Sequence, residues 1–142
     1  MNIGEIMTGN VISINEEEQV SAAAKLLKRS NIGSIPVHDS RGKLKGIVTD
    51  RDIVLRCVAS DEDPTEIKVS EIMSRNLVTC DPSDASERAA ERMAKNRIRR
   101  LPVTESGILV GIVALGDIAK CGDYDMEAAK ALSEISSNFR RA

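Results

Sequence analysis

The residues best equipped for chemistry stand in Gly46-Ile47-Val48-Thr49-Asp50-Arg51-Asp52-Ile53 and in a second version, Gly111-Ile112-Val113-Ala114-Leu115-Gly116-Asp117-Ile118. Each opens on an apolar β-branched run suited to a buried strand and closes on polar residues just ahead of a helical apolar pattern, which makes it a strand-to-helix elbow. In the first version Thr49 and Asp52 fall in the opening turn of the helix, where unpaired N–H groups and the positive end of the dipole favour anions. A hydroxyl there can hold phosphate. A carboxylate three residues on can accept hydrogen bonds from two neighbouring hydroxyls, such as a ribose diol. The same residue types are favoured as helix caps, so capping alone accounts for a single copy. The duplication shifts the balance towards a nucleotide clamp.

Composition sets the outer limits. A chain of 142 residues with 42% hydrophobic and 30% charged residues fits one compact domain or two small halves sharing a core. Aromatic residues make up only 1%, so the core must be aliphatic and no platforms exist for stacking single-stranded bases. A net charge of −2 and a pI near 5.5 give no overall basic footprint, and neither nucleic acid nor a membrane is an expected partner. Cys57, Cys80 and Cys121 are widely spaced, and His38 has no companion at zinc-ligand spacing, so no metal site and no disulfide framework are expected. Reduced, mostly buried thiols and a cytoplasmic location are the expectation, since neither a secretory leader nor a membrane-length apolar run is present in the sequence. His38, beside Asp39 in a turn, is expected to be exposed, and Met7 and Met73 to fill core space.

The elements that must position the elbows repeat with them. Glu5-Ile6-Met7 recurs as Glu71-Ile72-Met73, Asn10 as Asn76 and Pro36-Val37 as Pro102-Val103, all 66 residues apart (73 − 7). After one residue is lost in a turn, Gly46-Ile47-Val48 recurs as Gly111-Ile112-Val113, 65 apart (111 − 46). Within each copy, short β-prone segments (Val11 to Ile14, Leu77 to Cys80) precede helical stripes, Val20-Ala23-Ala24-Leu27 and Ala89-Ala90-Met93. Ser34-Ile35-Pro36-Val37 and Arg100-Leu101-Pro102-Val103 follow as strands whose proline favours an edge or end position. Turns lead to third strands, Leu44 to Val48 and Leu109 to Val113, and then to the elbow helices, of which the first runs on to Val58. Each half thus reads strand, helix, strand, strand, helix, with a polar break at Ser60 to Thr65.

This order of elements, with the opening Ile-Met-Thr/Ser segment, the Ile-Pro-Val and Leu-Pro-Val strands and the closing Gly-Ile-Val-Thr-Asp-Arg-Asp-Ile, resembles the CBS domain, named after cystathionine beta-synthase. The layout is similar to small stand-alone bacterial or archaeal CBS-pair proteins, the hypoxic-response type among them. The resemblance implies an α/β (α+β) fold of two pseudo-symmetric β-α-β-β-α units packed through their sheets: 1–60 as the first CBS unit, 66–122 as the second, and 123–142 as a helical tail. It also implies clefts between the units that bind AMP, ADP, ATP or S-adenosylmethionine as a regulatory ligand, with no cofactor, and a disc-shaped homodimer.

Carried over by that resemblance, the first cleft uses Thr49 and Asp52, with Asp50 and Arg51, completed by Ser74, Asn76, Val78 and the strand Ile98-Arg99-Arg100-Leu101. The second uses Asp117, completed by Thr8, Asn10, Ile12 and the strand Ile32-Gly33-Ser34-Ile35. There the sequence departs from the family pattern: Ala114 stands where a Ser or Thr is usual, and Leu115-Gly116 replace Asp50-Arg51. The run Arg97-Ile98-Arg99-Arg100 suits phosphate, because guanidinium presents a rigid fork of donors, but it also suits a solvated helix end.

The tail carries Met126, Ala129, Leu132 and Ile135 or Ser136 on one face, with Asp123 or Asp125 as cap, and that face must be buried either on its own pair or on a partner subunit, a dimer contact being favoured; Phe139 to Ala142 are expected to fray. A regulatory sensor of adenosyl ligands, acting on an unknown partner, is the expected function. A purely structural dimerisation module with degenerate clefts is the alternative. Enzymatic chemistry is not expected, since neither a Cys/His pair nor a phosphate-binding Gly-rich loop with Lys is evident.

Overall fold

The computed structural model describes residues 1–120, 131, 134 and 135. Among these residues no helix is long and apolar enough to cross a membrane. Helices and small sheets alternate in a mixed α/β arrangement, and the chain divides into two compact units. One is the continuous stretch Ile12–Leu77; the other joins Met1–Val11 to the chain from Val78 onward.

The continuous unit holds β1 (Ile14–Asn15), α2 (Val20–Ser30), β2 (Ser34–His38), β3 (Leu44–Thr49) and α3 (Asp50–Ile53), the last running into a π-helical turn, Val54–Val58. Its sheet has the order β1-β2-β3. The parallel partner β1 is two residues long, shorter than the β-prone segment from Val11 promises, and pairs Ile14 with Val37 and Asn15 with His38. Pro36 therefore lies in a middle strand and not at a sheet edge as expected. It is tolerated because β1 ends before reaching it, so no ladder bond asks for the missing N–H. The core gathers Val20, Ala23 and Leu27 from α2 with Ile35, Val37, Val48 and Cys57. Asn31 closes α2 in the left-handed conformation (φ 52°), which Asn tolerates.

The second unit contains α1 (Ile3–Ile6), α4 (Ser86–Asn96), β4 (Arg100–Glu105), β5 (Ile108–Ala114) and α5 (Leu115–Ala119). Strands β4 and β5 form a hairpin, and the expected strand from Leu77 to Cys80 shrinks to a single parallel bridge between Cys80 and Val103. Cys80 N–H donates to Pro102 O, so this proline serves the ladder as an acceptor. The α4 stripe Ala89, Ala90 and Met93 is buried as its periodicity requires. At the head of that stripe, where α2 has Val20, stands Ser86, fully buried with no hydrogen-bond partner for its hydroxyl among the described residues. Ala131 and Ile135, 2% and 0% exposed, join this core, so Ile135 is buried on its own chain and not left for a partner. Met126, Ala129, Leu132, Ser136, the caps at Asp123 and Asp125, and Phe139 to Ala142 lie outside the described residues.

The spatial units exchange the openings of the sequence repeats. Ile3 and Gly4, which open the first repeat, donate to Asp84 O and Pro82 O, while Thr8 and Ile112 exchange two backbone bonds of 2.8 and 2.9 Å. Ile72 and Met73, which open the second repeat, belong to the core of Ile12–Leu77, and Ser74 and Ile47 exchange the matching pair of 2.8 and 2.9 Å. Gly46 and Gly111 permit both approaches. A Cβ on Gly46 would stand 2.6 Å from Ser74 O and 2.8 Å from Met73 Sδ; one on Gly111 would stand 2.5 Å from Met7 Sδ and 3.0 Å from Thr8 O. Met73 is buried and Met7 packs against its core, the filler role expected of both. His38 is half-buried at the end of β2 and not exposed, because it continues the strand and its Nδ1 lies 2.9 Å from Asp39 O.

Candidate functional site

The first elbow is built by a reciprocal cap. Thr49 ends β3 in extended conformation, its Oγ1 accepts from Asp52 N at 3.0 Å, and Asp52 Oδ2 accepts from Thr49 N at 2.9 Å. This satisfies two backbone donors at the turn from strand to helix. It also fixes both side chains in space, and capping does not exhaust either of them. The hydroxyl of Thr49 accepts in the cap and keeps its own proton to donate. The carboxylate has about four acceptor positions; its Oδ1 accepts no hydrogen bond among the described residues and faces Arg56 Nε at 3.9 Å. The Asp52 side chain is 13% exposed, which shelters it from bulk water while leaving it reachable.

Around this elbow the unit gathers Gly33 and Ser34 from the start of β2. Ser34 pairs with Thr49 across the hairpin, and Asp50 N donates to Gly33 O at 3.1 Å. The Gly33 Cα is open, its nearest neighbour to an added Cβ being Asp50 Oδ2 at 3.7 Å. Ile32 is half-buried on the core, Ser74 is held beside Ile47, and Asn76 is exposed nearby in sequence. Asp50 and Arg51 are exposed, with Asp50 Oδ1 accepting from Arg51 N. Ile12, at 44%, is among the exposed large apolar residues.

The second elbow keeps half of the device. Asp117 Oδ2 accepts from Ala114 N at 3.1 Å, but Ala114 has no hydroxyl to complete the reciprocal bond. Leu115, where the first elbow has an exposed Asp50, turns into the core at 5% exposure, and its N–H donates to Arg99 O at 2.8 Å. Arg100 pairs with Ala114. Thr8 bridges to Ile112 on the strand leading into this elbow; Thr8 and Asn10 are exposed, and Val78 and Ile98 are half-buried against the core.

The strand start hydrogen-bonded beside Thr49 is Gly33-Ser34, and the one beside Ala114 is Arg99-Arg100, because each elbow ends a hairpin with its own repeat's second strand. The basic pair therefore flanks the elbow that lacks a hydroxyl. Ile35 and Leu101 are fully buried core residues, because strand alternation turns them inward. Arg56 was missed in the sequence, though an Arg four residues after Asp on a helix is a recognisable pairing signal.

At Cys57 and Cys80 thiol chemistry is suppressed. Cys57 and Cys80 are free and buried, and burial, with Asp84 adding to it, pushes the Cys80 thiol up to about 11. Burial, then Glu62 and Asp63, raise Cys57 as well. Among the described residues no group of His, Cys, Asp or Glu could hold a metal ion.

Known proteins share this architecture. The chain is 42% identical over 135 residues, 95% of each sequence, to the CBS domain-containing protein YhcV of Bacillus subtilis. It is 32% identical to Hypoxic response protein 1 of Mycobacterium tuberculosis, covering 82% of this chain and 81% of that one. Among solved structures, Hypoxic Response Protein I with two coordinated zinc ions superposes with a TM-score of 0.77 at 31% identity, covering 84% of this chain and 98% of that one. The CBS domain pair of protein MJ0100, in complex with 5′-methylthioadenosine and S-adenosyl-L-methionine, gives 0.72 at 29%, covering 88% and 98%. The family model described as CBS domain matches twice, over residues 3–58 and 69–123, taking in both elbows and both exchanged openings; the chain belongs to the CBS domain family as a tandem pair.

Proposed function

We propose that this CBS pair is a regulatory module that binds an adenosyl ligand at the Thr49–Asp52 elbow, the ribose diol on Asp52 and any phosphate near Thr49. The observation that carries this reading is the cap geometry: it immobilises both side chains while leaving the Thr49 proton and Asp52 Oδ1 for a ligand. Preorganised groups bind without the entropy loss of ordering them. The adenosyl compounds bound by the MJ0100 pair support the same ligand class. AMP, ADP, ATP and S-adenosylmethionine are the candidates, and the regulated partner is a further protein. Catalysis is not part of the proposal. A cytoplasmic location rests on the free thiols of Cys57 and Cys80.

Calorimetric titration with these four ligands tests the proposal. Asp52→Asn preserves an acceptor for Thr49 N–H while removing the charge, so it separates binding from capping. The expected loss is about ten- to a hundredfold in affinity, the worth of hydrogen bonds to a charged acceptor. Unchanged affinity in Asp52→Asn, with loss in Asp117→Asn, would move the site to the second elbow. A structural module with degenerate clefts is favoured by one observation, the missing hydroxyl at Ala114, and is upheld if no adenosyl ligand gives heat with the wild type.

The homodimer is proposed to form through the first elbow helix. Val54, Leu55 and Val58 are 54%, 49% and 63% exposed on its outer face, an apolar patch that a second copy would cover. Sedimentation of Leu55→Glu checks this: the expected result is a monomer, and a dimer of unchanged strength removes this face from the interface.

A further inference from the structure

Asp52 has a neighbour that the sequence repeat does not duplicate. Arg56 stands one helical turn on, with Nε 3.9 Å from Asp52 Oδ1, and its Nη1 donates to Ile72 O at 3.1 Å and lies 3.4 Å from Met73 O. One guanidinium thus touches the elbow carboxylate and two consecutive carbonyls of the segment that opens the second repeat. That segment is otherwise tied to β3 by the paired bonds between Ser74 and Ile47, and it runs on through Asn76 into the rest of the second repeat. We infer that Arg56 is a positioning residue that couples the state of the Asp52 carboxylate to the segment from Ile72 to Asn76.

Arg suits this role because its planar fork carries five donors in fixed geometry and can serve a carbonyl and a carboxylate at once. At 3.9 Å the Asp52 contact is an ion pair without a hydrogen bond, so Oδ1 remains open to an incoming hydroxyl. With the Arg56 side chain of the pair 55% exposed, solvent screens the attraction and the pair adds little to stability. Its consequence is geometric. A hydroxyl that takes Oδ1 changes what the guanidinium faces on one side while its other side holds the main chain at Ile72. In the second repeat the residue 65 positions on (56 + 65) is Cys121, which has no guanidinium, so the sequence repeat does not carry this Arg over. As a route for a regulatory signal the inference rests on the adenosyl reading above, whereas the tie itself does not need a ligand.

Amide hydrogen exchange at Ser74, whose N–H donates to Ile47 O, reads the tie in the full chain. Wild type, Asp52→Asn, Arg56→Met and the double variant form a cycle. Asp52→Asn is expected to speed exchange at Ser74 at least about threefold in the wild-type background and to have no further effect beside Arg56→Met, the pattern of two groups in contact. Arg56→Lys, which keeps the charge without the fork, should leave only part of the coupling, and it serves as the second variant if Arg56→Met folds poorly. An equal effect of Asp52→Asn in both backgrounds would overturn the inference. The second arm adds saturating AMP or S-adenosylmethionine: Ser74 exchange should change in the wild type and stay constant in Arg56→Met, which still binds by calorimetry. A ligand-dependent change that survives Arg56→Met rules Arg56 out as the route. If none of AMP, ADP, ATP and S-adenosylmethionine gives heat with wild type, the adenosyl reading fails and the ligand-free cycle alone decides the tie.

Discussion

Thr49 and Asp52 form a reciprocal cap that leaves part of each side chain unused. The cap uses the hydroxyl as acceptor and one carboxylate oxygen, and the unused donor and second oxygen are the atoms a nucleotide would need. Cys80 illustrates the opposite case, a reactive group type made inert by its place. Its thiol is 3% exposed and held up to about 11 from an ordinary 9.0, mainly by burial. Because the folded state favours the neutral thiol, the stability this contributes is complete below pH 9.0 and is lost as pH rises towards 11. The expected loss is on the order of 2 kcal/mol. Urea unfolding across that window should show a decline that Cys80→Ala, itself less stable, flattens; an unchanged slope in the variant would assign the decline to other groups.

At the scale of elements, the strands leading into the elbows are held by backbone approach as much as by side chains. Gly46 and Gly111 occupy the same place in the repeat and face the same kinds of group, but the nearest neighbour differs. An added methyl at Gly46 meets the main-chain oxygen of Ser74 first, whereas at Gly111 it meets the thioether of Met7, the end of a flexible side chain. Gly46→Ala should therefore cost about 1–3 kcal/mol, the range for forced overpacking, and Gly111→Ala less. Thermal unfolding of the two variants side by side measures the difference. Equal losses would mean that Met7 is as rigid as backbone. Gly46→Ala is also expected to weaken binding at the first elbow, since Thr49 ends the strand it disturbs and Ser74 is bridged to that strand at Ile47.

At the scale of the molecule, the exchanged openings decide where the chain can be divided. A fragment of residues 1–63 would lack Val69, Ile72 and Met73 from the core that contains Val20 and Val48, and a fragment from Thr65 onward would lack Ile3 from the other core. Both should be unfolded, as small cores without disulfide or metal have little stability to spare. Residues 12–77, in contrast, carry one complete core in 66 continuous residues (77 − 12 + 1). That fragment should melt cooperatively by circular dichroism. A folded 1–63 with an unfolded 12–77 would contradict the exchange.

The sequence by itself determined the duplication, the α/β class, the positions of both elbows and the α2 and α4 stripes, because these are local patterns of spacing and residue type. Asp52 and Thr49 were legible for the same reason, since a reciprocal cap is written within four residues. Only the tertiary structure decided what was brought beside them. Arg99 and Arg100 flank Ala114, and Gly33 and Ser34 flank Thr49, through hairpin registers that no local pattern prints. Ser86 was hidden because a polar residue breaks a hydrophobic stripe on paper although the helix buries its position. The openings at Ile3 and Ile72 read as parts of their own repeats, yet each packs with the other one's strands. Chain adjacency favours near neighbours, but a duplicated sequence offers Ile3 and Ile72 two similar places to be buried, and only the folded chain shows which is taken.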